Sequence, residues 1–126
     1  MRYITPEDIQ YQLANLRQIT FEVTDACNLK CRYCGYGEFY NDYDKRENSN
    51  LPVEKAYAIL DYLSELWNSY MNTSENRYIY IGFYGGEPLL NPALINVITE
   101  YVKTKLISPN RRFMFSMTTN AMLLDK

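Results

Sequence analysis

Tyr78-Ile79-Tyr80-Ile81-Gly82-Phe83-Tyr84, closed by Gly85-Gly86-Glu87-Pro88, is a nearly unbroken apolar and aromatic run with a glycine-proline stop. Such runs are expected of strands covered on both faces, as in parallel sheets sandwiched by helices. The stretch from Arg77 to Tyr84 therefore predicts a strand, and the chain on either side must supply the helices.

Upstream, Leu51-Pro52-Val53-Glu54 starts a helix with proline at its first position. Val53, Ala56, Leu60, Leu63 and Trp67 then recur at helical spacing, which assigns Trp67 to the core. Downstream, Asn91-Pro92 opens another helix by a cap-then-proline device, with Leu94, Val97, Ile98, Tyr101 and Val102 on its buried side. Ser108-Pro109-Asn110 breaks that helix, and Phe113 to Thr118 reads as a further strand.

Near the N-terminus, Thr5-Pro6-Glu7-Asp8 combines a hydroxyl cap, a proline and acids suited to the positive end of a helix dipole. Ile9, Leu13 and Leu16 are its expected apolar face. From Gln18 to Thr24 the pattern alternates, Ile19, Phe21 and Val23 against Thr20, Glu22 and Thr24, which predicts a first strand. The order is helix, strand, helix, strand, helix, strand. Strands joined by helices of crossover length pair in parallel with right-handed connections, so the fold class is α/β.

Composition agrees with a soluble domain. The 126 residues are 47% hydrophobic and 22% charged, with a formal charge of -2 and no basic stripe to bind nucleic acid or an acidic membrane surface. No run approaches the ~20 apolar residues of a membrane helix, and Met1 to Gln10 lacks a signal-peptide core, so the expected setting is cytoplasmic and reducing.

In parallel sheets, chemistry collects beyond the C-terminal strand ends. Three loops lie there. One contains Cys27-Asn28-Leu29-Lys30-Cys31-Arg32-Tyr33-Cys34, which holds every cysteine of a chain without histidine. The others are Gly85-Gly86-Glu87-Pro88 and Thr118-Thr119-Asn120. Gly35 to Asn50 is an unperiodic excursion whose Tyr36, Tyr40 and Tyr43 either cover a ligand or pack the loop.

Three close thiols in a reducing setting favour a metal over disulfides, and a curled loop could aim all three at one point. Structural zinc takes four protein ligands, so here it would need Asp25, Glu38 or a partner chain, giving a zinc-stabilised, non-catalytic binding module. An iron-sulfur cluster on three cysteines instead leaves one iron open to an outside ligand. Asp25 and Asn28 are expected to bond backbone amides and shape the loop.

Cys-x3-Cys-x2-Cys, with Tyr33 before the third cysteine, resembles the signature of the radical S-adenosylmethionine (radical SAM) superfamily. Gly85-Gly86-Glu87-Pro88 resembles the family's glycine-rich motif after the second strand. Thr118-Thr119-Asn120 resembles its Thr-Asn-Gly segment after the third, with Ala121 where glycine is common. The stretch from Phe83 to Pro92 most resembles peptide and protein maturases of the sulfatase-maturating type, and molybdopterin-biosynthesis enzymes share similar motifs.

The resemblance implies a partial (β/α) barrel with about three parallel strands, the N-terminal half of a (β/α)6 barrel spanning residues 18–126 after an N-terminal helical segment over 1–17. It implies a 4Fe-4S cluster on Cys27, Cys31 and Cys34, whose open iron chelates S-adenosylmethionine for reductive cleavage to a 5'-deoxyadenosyl radical. Tyr33, Gly85, Gly86, Glu87, Thr118 and Asn120 would contact that cofactor. No catalytic residue is implied beyond the cluster ligands. Oxygen sensitivity, a peptide or protein substrate and an electron donor such as flavodoxin or ferredoxin follow from the same resemblance, with a small molecule as the alternative substrate. A chain of this extent is expected to be a truncated and inactive part of the whole enzyme.

Overall fold

The computed structural model describes residues 2–37, 39, 45–106 and 111–125. Helix α1 is Pro6–Ala14, strand β1 Gln18–Thr24, helix α2 Val53–Trp67, strand β2 Tyr78–Gly85, helix α3 Pro92–Lys105 and strand β3 Arg112–Met117. The strands form one sheet in the order β1-β2-β3, both pairings parallel. This is an open α/β sheet with flanking helices, the arrangement of a partial (β/α) barrel.

The core lies between the sheet and its helices. Phe21, Val23, Ile79, Ile81 and Phe83 meet Ala56, Leu60, Leu63 and Trp67 of α2 and Leu94, Ile98 and Val102 of α3. Phe83 has an aromatic neighbour on each side, Phe21 and Phe115, at 6.5 Å between ring centroids. Trp67 is fully buried, tilts against Phe113 and donates its indole N–H to the Leu13 carbonyl at 3.3 Å.

The expectation that β2 is covered on both faces is corrected. Tyr78, Tyr80 and Tyr84 are more than 40% exposed, whereas Ile79, Ile81 and Phe83 are buried. The strand alternates after all, with tyrosine on its open face; a phenol ring counts as apolar in a sequence but its hydroxyl is at home in water.

Helix α1 begins as predicted, with Thr5 and Asp8 forming a reciprocal capping box. It ends earlier than its apolar pattern suggests. Asn15 donates from Nδ2 to the Met71 carbonyl at 2.8 Å and accepts from the Thr73 N–H at 2.9 Å, fastening the helix end to the loop after α2. Leu16 therefore lies beyond the helix, and Ile9 is 53% exposed. Three further details differ from expectation: Pro52 is the N-cap of α2 and not its first helical residue, Val97 is exposed, and the Asn91 side chain makes no cap. Asn91 instead donates from Nδ2 to the Val23 carbonyl at 3.0 Å, tying the start of α3 to the end of β1. The helix breaker Ser108-Pro109-Asn110 lies outside the described residues.

Arg111 closes the opposite end of the sheet. It is buried and donates to the carbonyls of Ala14, Leu16 and Arg77. Burial lowers its pKa from the usual arginine value, and the nearby Arg77 charge adds to that.

Candidate metal centre at the strand ends

Strand β1 carries a bulge at its C-terminal end. Glu22 pairs with Tyr84 and Thr24 with Gly85, so Val23 is the extra residue, and both Val23 and Thr24 are buried. The ladder then continues past the strands: Gly86 N–H donates to the Thr24 carbonyl at 2.9 Å and Glu87 N–H to the Ala26 carbonyl at 2.8 Å. A Cβ on Gly85 would stand 2.2 Å from the Thr24 oxygen, and one on Gly86 2.1 Å from the Ala26 oxygen. The missing β-carbons let the chain leading into the cysteine loop approach this closely.

Glu87 is fully buried. Its Oε1 accepts from Leu89 N–H at 3.0 Å and from the Thr119 hydroxyl at 2.7 Å, and its Oε2 accepts from Asn120 N–H at 2.9 Å. Burial pushes its pKa up, but the bonds from Thr119, Asn120 and Leu89 outweigh burial and hold the carboxyl below its ordinary range. It is thus an anionic hub joining the loops after β2 and β3. It caps the turn after β2, and among the described residues the one ion pair is Arg2 with Asp8.

Asn120 carries the link onward, donating from Nδ2 to the Asn28 side-chain oxygen at 2.9 Å. Asn28 thus bonds a side chain rather than the expected amides. Thr118 donates its N–H to the Phe83 carbonyl at 3.0 Å, and its side chain is exposed. All three predicted loops are therefore stitched together.

Ala121 follows at φ 63°, a left-handed conformation that glycine adopts without steric cost. Ala121 therefore holds this turn under strain. Replacing Ala121 by glycine is expected to raise stability by about 0.5–1 kcal/mol, read as a higher urea midpoint with unchanged slope. A lowered midpoint would contradict the strain.

The cysteine loop is curled by Cys34 N–H on the Cys31 carbonyl at 3.1 Å and Gly37 N–H on the Cys34 carbonyl at 2.7 Å. The thiols are free and half-buried. Cys27 Sγ accepts from Leu29 N–H at 3.4 Å and Cys34 Sγ accepts from Arg46 at 3.2 Å, and the neighbouring Cys31 side chain raises the pKa of Tyr33. The Tyr33 ring itself is 85% exposed. Among the described residues no three Cys, Asp or Glu groups are gathered as a metal cage.

The donor chemistry nevertheless fits a thiolate-held cluster. The three cysteines offer soft sulfur donors, two of them receive N–H donors, and Arg46 Nε is buried without a partner among the described residues.

Asp25 does bond amides, but those of the returning chain: Glu47 N–H at 2.6 Å and Ser49 N–H at 2.7 Å. Tyr36 packs the loop, its hydroxyl donating to Glu22 at 2.6 Å, and this bond drives its pKa far above the ordinary tyrosine range. Tyr40, Tyr43 and Glu38 lie outside the described residues. Arg46 is the residue that sequence reasoning missed, since nothing in an unperiodic segment ties it to a cysteine twelve positions earlier.

Residues 21–126 match the Radical SAM superfamily. An uncharacterized protein of Methanocaldococcus jannaschii is 32% identical over 111 residues, 88% of this chain and 32% of that protein. A "Probable GTP 3',8-cyclase" of Methanococcus maripaludis is 31% identical over 88% of this chain and 31% of its own length. An S-adenosylmethionine-dependent nucleotide dehydratase of Pseudoalteromonas ulvae is 27% identical over 85% and 33%. The chain spans about a third of the length of these curated relatives. It belongs to the radical SAM superfamily.

Proposed function

We propose that this radical SAM chain holds a 4Fe-4S cluster through Cys27, Cys31 and Cys34, presents its open iron to S-adenosylmethionine, and forms part of an enzyme that modifies a nucleotide or other small molecule. The observation that carries the reading is the family match from residue 21 onward, which takes in all three cysteines and both neighbouring strand-end loops.

The substrate class rests on the names of two relatives, one a GTP cyclase and one a nucleotide dehydratase. Neither is a sulfatase-maturating enzyme, so the peptide or protein substrate suggested by Phe83 to Pro92 gives way to the small-molecule alternative.

When bound, cluster and cofactor supply reductive cleavage of a carbon-sulfur bond to give the 5'-deoxyadenosyl radical, with electrons from a donor such as flavodoxin or ferredoxin. The protein's part is to hold and orient. Tyr33, Thr118 and the backbone of Gly85 and Gly86 are the proposed cofactor contacts. Glu87, with both oxygens committed to its own chain, positions the loops that carry them. Asn120, bonded to both Glu87 and Asn28, fixes the cysteine loop against the third strand end.

After anaerobic reconstitution with ferrous iron and sulfide, the reduced protein is expected to give an electron paramagnetic resonance signal whose g-values move when S-adenosylmethionine is added. A cluster signal indifferent to S-adenosylmethionine would contradict the open-iron reading.

A further inference from the structure

Arg46 is a half-buried cation whose guanidinium faces a cysteine sulfur. Its guanidinium donates to Cys34 Sγ at 3.2 Å and lies 5.1 Å from the centre of the Tyr36 ring. Tyr36 is held in turn by its bond to Glu22 on β1. Asp25 grips the adjoining backbone through Glu47 and Ser49. The Nε is buried without a partner among the described residues, and no carboxylate there pairs with the group.

A partly buried charge is favoured where electron-rich groups face it. Here the facing group is a cysteine sulfur. Cationic charge and hydrogen bonds at the sulfurs of an iron-sulfur cluster favour its reduced, more negative state. The Tyr36 ring gives the guanidinium a cation–π contact that favours this position beside the sulfur.

We propose that Arg46 is a positioning residue that sets the reduction potential of the cluster held by Cys34, raising it towards the reach of the electron donor. This rests on the cluster reading above and adds to it a residue outside the cysteine motif. The sign is fixed by charge: removing the cation lowers the potential. The Tyr36 and Glu22 contacts make Arg46, and not the exposed Arg32 of the cysteine loop, the group so placed.

The test compares the reconstituted protein with Arg46→Gln and Arg46→Lys by redox titration monitored by electron paramagnetic resonance. Arg46→Gln keeps an amide donor without charge, and its reduction equilibrium is expected to shift at least about tenfold towards the oxidised cluster, 59 mV for one electron. Arg46→Lys keeps the charge without the fork and should shift by less than half as much. Loss of the cluster from Arg46→Gln alone would overturn the proposal, because it makes the charge a requirement of assembly and not a setting of the potential. Equal potentials in all three proteins would overturn the proposal, as would loss of the cluster from both variants, which marks Arg46 as packing. Failure of the unsubstituted protein to form any cluster would overturn the cluster reading itself and this inference with it, and that result is distinct because no signal exists to titrate.

Discussion

Glu87→Ala is expected to lower the unfolding free energy by roughly 3–5 kcal/mol, because three donors lose a charged acceptor inside the protein. Two of the bonds hold the loop after β3 and one the turn after β2, so the loss falls where the loops are joined. Glu87→Gln keeps an acceptor oxygen without the charge and should cost about half as much. Urea unfolding at neutral pH measures both; a loss under about 1 kcal/mol for alanine would mean that water replaces the carboxylate without penalty.

Glu87 also fixes a pH dependence. Its folded pKa lies below the ordinary 4.5, so the folded state binds the proton less readily than the unfolded chain. The stabilisation is complete above that ordinary value and is lost as the pH falls through the lower folded value. The urea midpoint of the protein should therefore drop on acidification below about pH 5, and that of Glu87→Gln should drop less. Parallel losses in the two proteins would assign the acid sensitivity elsewhere.

Much of the fold was legible because its signals are local. Alternation placed β1 at Gln18–Thr24, the span observed, and the capping box at Thr5 and Asp8 marked the start of α1. Continuous apolar character identified β2 but misjudged its faces, since the tyrosines that line the open side are written in the same apolar alphabet as the core. The helix end at Ala14 depends on Asn15 meeting a loop 56 residues away, which no window can register.

The candidate site divides in the same manner. Parallel topology brought the three strand-end loops to one edge, and the structure stitches them through Glu87, Asn120 and Asn28. The identity of the stitching atoms was not legible: a buried glutamate and a cysteine-facing arginine follow from separations of 32 and 12 residues and not from any motif. Gly85 and Gly86 show how one residue type carries two readings, for the bare α-carbon a ligand would need is also what Thr24 and Ala26 require.

The second large effect concerns Cys31. In the proposed site each cysteine is one of three ligands, and its loss leaves a second iron without a protein donor. Cys31→Ala is expected to abolish cluster formation while leaving the fold within about 1 kcal/mol, because the thiol is half-buried and outside the core. Iron retained in full by the variant would exclude Cys31 as a ligand.

The most direct measurement of the central claim is the metal bound per chain after anaerobic reconstitution with ferrous iron, sulfide and an equimolar amount of zinc. Three thiolates without histidine should take up about four irons and as many acid-labile sulfides, and Cys31→Ala should take up neither. One zinc per chain with no labile sulfide would contradict the account and identify the cysteine loop as a structural zinc site.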